Sequence, residues 1–272
     1  MIAPVYTIAQ GDCVSVTQKL APGSVDLSVF SPPYDSIRTY KKGWTFDFPA
    51  LGASLHRATK DGGVCAVVIG DGTKEFAKSM TTFKLAIDWC ENAGWRLFES
   101  CVYQRDGNPG AWWRARFRVD HEYILLFFKG ARPKTFDKTP LMVPSKHAGK
   151  IYSGTDRLTD GSFKKITPKA VNPMKCRGTV WRYRTSNTEG NRLKLRHPAT
   201  FPDNLAEDLI LCFSDIGDTV LDPMCGSGTT CVMALKNRRN TLGIDINEEY
   251  CEIARERIKR ENSQLSICES VA

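Results

Sequence analysis

The chain has 272 residues, of which 42% are hydrophobic and 25% charged, and a formal net charge of +8, an ordinary composition for one large globular domain or a domain plus an insertion. Its ten cysteines form no C-x-x-C pair and no Cys/His ligand spacing, so they read as reduced cytoplasmic thiols and exclude a disulfide framework or a metal site. Met1 to Val16 carries no basic leading region and is interrupted by Asp12, and the longest apolar run elsewhere, Ile124 to Phe128, cannot span a bilayer, so neither export nor a membrane anchor is expected.

In chain order, apolar and β-branched runs predict strands over Val5 to Ala9, Val25 to Phe30, Val64 to Ile69, Leu97 to Tyr103 and Tyr123 to Phe128. Two more follow after a long interval, at Thr219 to Leu221 and Thr241 to Ile244. The spacing of Phe83, Ala86, Ile87 and Cys90 predicts a helix over Thr82 to Asn92 with those residues on its core face. Pro202-Asp203 opens a helix running to about Phe213, another begins near Thr229, and Glu249 to Arg260 aligns Cys251, Ala254 and Ile258 beside Tyr250. This alternation predicts an α/β fold with a Rossmann-like, doubly wound sheet, mostly parallel with an antiparallel edge strand.

The interval between the two sets of strands holds the whole charge excess. From Lys129 to Arg196 there are 17 Lys/Arg against four acidic residues (Asp137, Asp156, Asp160 and Glu189), which leaves the remainder of the chain at −5. Five prolines and the aromatics Tyr152, Phe163, Trp181 and Tyr183 punctuate it. Cations interleaved with rings suit a polyanion with stackable bases, so this stretch is expected to bind nucleic acid, with Lys164, Lys165, Arg177, Arg182 and Arg184 as candidates. Two polar, aromatic-bearing loops, Asp35 to Phe48 and Arg105 to Arg118, add Arg38, Lys41, Lys42, Trp112, Trp113, Arg114 and Arg116.

The segment Asp218 to Ala234 reads as strand, tight turn, helix around Asp222-Pro223-Met224-Cys225-Gly226-Ser227-Gly228. Gly226 and Gly228 let the backbone approach a ligand, and the helix from Thr229 offers unpaired N–H groups. No Lys follows the last glycine, which argues against a phosphate-binding ATPase loop. Asp245, at the end of the next predicted strand, can accept both hydroxyl protons of a ribose. Asp222, at its own strand terminus, can pair with an amino group, a need that an amino-acid-bearing nucleoside such as S-adenosyl-L-methionine has and a nicotinamide dinucleotide lacks.

The ordered pieces Gly11-Asp12-Cys13, Val25-Asp26-Leu27 into Ser31-Pro32-Pro33-Tyr34, Gly62-Gly63-Val64 and His121-Glu122-Tyr123 open a longer series. It continues through His197-Pro198-Ala199-Thr200-Phe201-Pro202, Asp222 to Thr230 and Gly243-Ile244-Asp245. In that order the chain resembles the β-type amino DNA methyltransferases, which act on cytosine N4 or adenine N6. The resemblance implies a catalytic half over 1–130, a basic target-recognition insertion over 131–196 and a cofactor-binding half over 197–272. It implies that Asp222, Gly226, Ser227 and Gly228 surround the methionine part of S-adenosyl-L-methionine, with Pro223, Met224, Thr229 and Ile246 beside them. Asp245 would hold the ribose, Asp12 and Cys13 the adenine, while Phe201 and Pro202 close over the methionine end. Asp12 also reads as a turn aspartate capping a strand. Double-stranded DNA is the implied partner, and a cognate restriction endonuclease is the protein partner the resemblance raises.

Ser31-Pro32-Pro33-Tyr34 suits amino methylation on chemical grounds. An exocyclic amino group is a poor nucleophile because its lone pair is delocalised into the ring. Acceptors on its protons, here the Ser31 hydroxyl and the Pro32 carbonyl, favour a more tetrahedral nitrogen whose lone pair can reach a sulfonium methyl. Two prolines stiffen the loop, and Tyr34 offers a face on which an extruded base stacks. A serine at the first position goes mostly with cytosine N4 in the resembled family, and aspartate with adenine N6. A neutral acceptor also spares cytosine N3 a facing carboxylate. Methylation at cytosine C5 is disfavoured, since it needs a thiolate, usually from a Pro-Cys pair, and none of the 14 prolines precedes a cysteine. Cys225 reads as packing, and His56, His121 and His147 as structural. Adenine N6, and a catalytically silent DNA-binding module, remain the alternatives.

Overall fold

The computed structural model describes residues 4–33, 47–106, 117, 119–184 and 202–271. It separates into two compact units, one formed by 1–137 with 179–272 and the other by 138–178. The larger unit contains an eight-stranded sheet: β1 (Tyr6–Gln10), β2 (Val25–Phe30), β3 (Thr59–Ile69), β4 (Arg96–Asp106), β5 (His121–Phe128), β6 (Val180–Arg184), β7 (Thr219–Asp222) and β8 (Asn240–Asp245). Their spatial order is β1-β8-β7-β2-β3-β5-β4-β6.

All pairings are parallel except the two made by β5, to β3 and to β4. The expected antiparallel edge strand is therefore an interior one. β4 and β5 are consecutive antiparallel strands, β5 is the one inserted against β3, and β6, from within the basic interval, then adds outside β4. β6 was not among the predicted strands. Its alternation explains why: Trp181 and Tyr183 point into the protein while Val180, Arg182 and Arg184 are exposed. The two rings expected to interleave with cations for base stacking are thus spent on packing, and Tyr183 donates its hydroxyl proton to Asp208 and lies 5.9 Å from Tyr103. The expected insertion of 131–196 differs from the smaller unit for the same reason, since 179–184 belongs to the sheet.

Helices α1 (Cys13–Thr17), α2 (Phe48–Ala58) and α3 (Thr81–Glu91) pack together, and α4 (Asp203–Phe213), α5 (Thr229–Lys236) and α6 (Glu248–Val271) form a second set. Every residue of β2 is buried, as a central parallel strand requires. Its one carboxylate, Asp26, is neutralised by Lys60 Nζ at 2.7 and 2.8 Å and accepts the Thr219 N–H at 2.9 Å, which locks β7 beside it.

α3 presents a different face from the one its sequence suggests. Thr82, Leu85 and Trp89 are buried, whereas Phe83, Ile87 and Cys90 are exposed. Trp89 decides the orientation: its indole stacks on Trp95 at 6.0 Å, meets Phe127 at 5.1 Å and donates to the Phe48 carbonyl at 2.7 Å. Burying one indole removes more apolar surface from water than Phe83 or Cys90 would. No described helix is long and apolar enough to cross a membrane.

Candidate active site

From β7 the chain passes through α5 to β8, and from β2 through α2 to β3, so the two crossovers leave in opposite directions from a neighbouring pair of strands. In an open parallel sheet, such a reversal opens a crevice beyond the carboxyl ends of the two strands. Asp222 ends β7 and Ser31-Pro32-Pro33 follows Phe30 at the end of β2. Thr230, in the first turn of α5, donates its hydroxyl proton to the Val29 carbonyl at 3.0 Å, tying the two stretches together across 201 residues. Pro32 is buried, with Ser31 and Pro33 half-buried on either side.

The turn after β7 is held from several directions. Gly226 (φ 50°) and Gly228 (φ 78°) adopt left-handed conformations that a side chain disfavours. A Cβ on Gly228 would sit 2.9 Å from that of Ala254 on α6. The Cys225 N–H reaches the Ile244 carbonyl at 2.8 Å, and the Gly226 N–H reaches Asp245 Oδ2 at 2.9 Å. Cys225 itself is buried, consistent with packing. Arg257, buried on α6, donates to the Ser227 carbonyl and to Ser227 Oγ at 3.2 Å, and lies 3.8 Å from Asp203. The sequence reading missed Arg257; its signal was an arginine beside the apolar positions Ala254 and Ile258.

The carboxylates are the chemically informative part. Asp222 is 2% exposed, and burial pushes its pKa up from 3.8 to about 7, with Asp245 adding repulsion against the opposing pull of the Met224 N–H and the Thr230 hydroxyl. Asp245 is raised as well, chiefly by burial, although the N–H groups of Asn247, Gly226 and Ile246 pull it down. None of the groups that shift either one is a cation. A buried and a half-buried carboxyl that no described cation neutralises fit a ligand bringing an ammonium and hydroxyl donors. The glycine turn between them leaves backbone within reach of such a ligand.

β1 completes the rim. Gln10 pairs with Asp245, and the Gly11 N–H donates to the Asp245 carbonyl at 2.9 Å, which sets Asp12 and Cys13 two and three residues past that pair. Asp12 Oδ1 accepts the N–H and the hydroxyl of Ser15, both at 2.9 Å, so it caps the helix α1, where the alternative reading had it cap a strand. Cys13 is half-buried, and burial first, then Asp12, pushes its thiol to about 12. On the other side of β2, the hairpin Thr73–Lys74 with Ala77–Lys78 follows β3. Its turn residues Glu75 (φ 50°) and Phe76 (φ 63°) are both left-handed without being glycine. The sequence reading had no signal for it, because such turns ordinarily carry Asn-Gly.

Of the remaining expected residues, Tyr34, Arg38, Lys41, Lys42, Trp112, Trp113, Arg114, Arg116 and Phe201 lie outside the described residues. Pro202 starts α4 as its N-cap. Lys164 and Lys165 are exposed in the smaller unit, where Arg177 is half-buried. Arg182 and Arg184 are exposed on β6, with Arg182 Nε donating to Gln104 at 2.7 Å. His56 and His121 meet Trp95 and Tyr123 edge-on at 5.2 and 5.5 Å.

A family model for N6/N4 DNA methylases matches residues 25–256. The chain belongs to that family. S-adenosyl-L-methionine is the family's methyl donor. The methylase is 36% identical over 248 residues to the orphan methyltransferase M.BamHII of Bacillus amyloliquefaciens, covering 87% of this chain and 89% of that one. It is 29% identical over 271 residues to the DNA adenine methyltransferase YhdJ of Escherichia coli K12, with 93% and 82% covered. In fold it is similar to the cytosine-N4-specific PvuII DNA methyltransferase, with a TM-score of 0.70, 19% identity and 96% and 93% of the chains covered.

Proposed function

We propose that this methylase transfers a methyl group from S-adenosyl-L-methionine to the N4 amino group of a cytosine extruded from duplex DNA, with the carboxyl ends of β7, β8 and β1 holding the donor and that of β2 the base. The observation that carries the reading is the pairing of a buried, un-neutralised Asp222 with Ser31-Pro32-Pro33 on neighbouring strand ends. Asp222 takes the donor's ammonium, and the cradle of Pro223, Met224, Gly226, Ser227, Gly228 and Thr229 follows its methionine part. Asp245, with Ile246 beside it, accepts the ribose hydroxyls, Asp12 and Cys13 flank the adenine, and Phe201 with Pro202 covers the methionine end. When bound, the cofactor supplies an electrophilic sulfonium methyl.

On the other side of the cleft, Ser31 Oγ and the Pro32 carbonyl accept the two amino protons, which withdraws the nitrogen lone pair from the ring and aims it along the transfer direction. Tyr34 stacks on the base, and the two prolines keep the acceptors from turning away. The choice of cytosine rests on Ser31 being a neutral acceptor: a carboxylate there would face the N3 lone pair of cytosine. Incubating the protein with duplex DNA and isotope-labelled cofactor, then analysing the nucleosides by mass spectrometry, tests this. N4-methylcytosine is expected. N6-methyladenine as sole product overturns the choice of base, and unlabelled DNA overturns the transfer itself.

A further inference from the structure

The smaller unit, 138–178, folds back on itself as three short antiparallel ladders in succession. The pairing runs from the Arg177 N–H on the Leu141 carbonyl, through Met142–Pro144 paired with Met174–Cys176, to Ile151–Tyr152 paired with Lys169–Ala170. It ends in Thr155–Arg157 paired with Phe163–Lys165, closed by the turn in which Leu158 and Ser162 bond and Asp160 caps Ser162. Every residue from 151 to 165 is exposed. A two-stranded ribbon with so little buried surface is marginal in water, so it gains when something lies against it. The unit carries nine Lys/Arg against two Asp.

The outer register sorts the side chains, because directly paired residues project from the same face. Asp156 is opposite Lys164, a cross-strand pair of opposite charge on one face. The other face carries Thr155 opposite Lys165 and Arg157 opposite Phe163, with no acid among the four. Phe163 is 70% exposed there. One face of the ribbon thus has its charge internally balanced, and the other offers a guanidinium fork, an ammonium, a hydroxyl and an aromatic ring.

We propose that this outer ribbon enters the major groove of DNA with the Thr155, Arg157, Phe163 and Lys165 face toward the base edges, and that Arg157 sets the sequence selectivity of methylation. The inference rests on the reading of the chain as a duplex-DNA methylase and names the part of it that selects the site. The major groove admits a two-stranded ribbon, and an arginine fork on guanine O6 and N7 is the commonest base-specific contact there. Lys165 contacts the phosphates, and Phe163 lies against a thymine methyl or another apolar edge. Lys164, on the balanced face, makes no base contact.

The test compares the wild-type chain with R157A, F163A, K165A and K164A. Modified-base sequencing of a methylated plasmid gives the site preference of each, and DNA binding over a salt series gives its electrostatic share. R157A is expected to narrow the preference between the cognate site and its single-base variants by roughly tenfold or more at one position. K165A is expected to weaken binding to all sequences and lower the salt slope by about one. K164A keeps the wild-type site preference, and any loss it causes falls equally on all sequences. A wild-type preference in R157A, in a protein that still methylates and still melts as wild type, overturns the proposal and leaves the methylase reading intact. A wild-type chain that methylates no DNA overturns that reading instead, and the salt series still reads the ribbon: equal DNA affinity in R157A, K165A and wild type overturns its contact with DNA.

Discussion

Replacing Asp222 by Asn should make the ligand-free protein more stable at pH 8 while nearly abolishing cofactor binding. In the native fold, burial raises the Asp222 carboxyl from 3.8 to about 7. The folded pKa exceeds the unfolded one, so the group is neutral in both states at low pH. Stability declines as pH rises above ~4, until the carboxyl is ionised in both states above ~7. A shift of about three units corresponds to ~4 kcal/mol. Allowing for relaxation and for water entering when the group ionises, about 2 kcal/mol of this is recoverable on removing the charge. Asn keeps the size and the acceptor that Met224 N–H uses at 3.1 Å, so the variant should melt roughly 4–8 °C higher at pH 8 and near the wild type at pH 4. An amide cannot pair with an ammonium, and losing one partner of a buried charge pair costs ~3 kcal/mol or more, about a hundredfold in affinity. Thermal melts at the two pH values and calorimetric titration with S-adenosyl-L-methionine measure both. A lower melting temperature than wild type at pH 8, or undiminished affinity, refutes the account of Asp222.

Wild-type cofactor affinity should fall about tenfold for each pH unit below 7, because the free Asp222 must first ionise, and D222N should lose that dependence; titrations from pH 5.5 to 8 check it. S31A should lower turnover by roughly 10²-fold with cofactor affinity unchanged, since only the amino group in flight loses an acceptor; equal losses in both would indicate a structural role. Replacing Glu75-Phe76 with Asn-Gly should raise the melting temperature by a few degrees, relieving about 1 kcal/mol or more of left-handed strain, and an unchanged or lower melt would count against that strain. R257M should weaken cofactor binding by about tenfold through the freed Ser227 carbonyl, with R257K recovering part of it; wild-type binding in R257M would show the glycine turn to be self-supporting.

The strands of the parallel core were legible because a strand buried on both faces must be apolar throughout, and Val25 to Phe30 matches β2 residue for residue. Edge and mixed elements were not. β6 alternates Val, Trp, Arg, Tyr, Arg within a basic stretch, so its two buried rings looked like part of a nucleic-acid surface until Val102 to Asp106 supplied the neighbour that covers them. α3 failed differently: the apolar positions Phe83, Ile87 and Cys90 form a plausible stripe, but periodicity does not see tertiary partners, and Trp89, buried with Leu85, finds Trp95, Phe127 and the Phe48 carbonyl on the other face. The geometry of the proposed site was legible where glycine and a strand-terminal acid coincide: Gly226 and Gly228 adopt left-handed conformations in the turn after β7, and Asp222 and Asp245 end β7 and β8. Arg257 was not, because a long cationic side chain is usually solvated and only the tertiary fold puts the Ser227 carbonyl within its reach.

The order of the motifs along the chain follows from where the sheet reverses. Ser31 and Asp222 lie at neighbouring strand ends because β2 and β7 pair in parallel and their connections run in opposite directions, and this needs no sequence proximity. The same topology separates the two chemical demands. In the proposed reaction, the donor's charged, backbone-rich pocket falls to Asp222, Asp245 and Asp12 at the ends of β7, β8 and β1. The stiff, uncharged acceptors for the base fall to Ser31 and Pro32 at the end of β2. Had both demands fallen on one loop, the carboxylates that hold a cationic donor would also have faced the lone pairs of the acceptor base, and in a dry cleft that repulsion is not screened. Placing them on adjacent strands lets charge and neutrality sit side by side at one rim, with the Thr230 to Val29 hydrogen bond keeping the two in register.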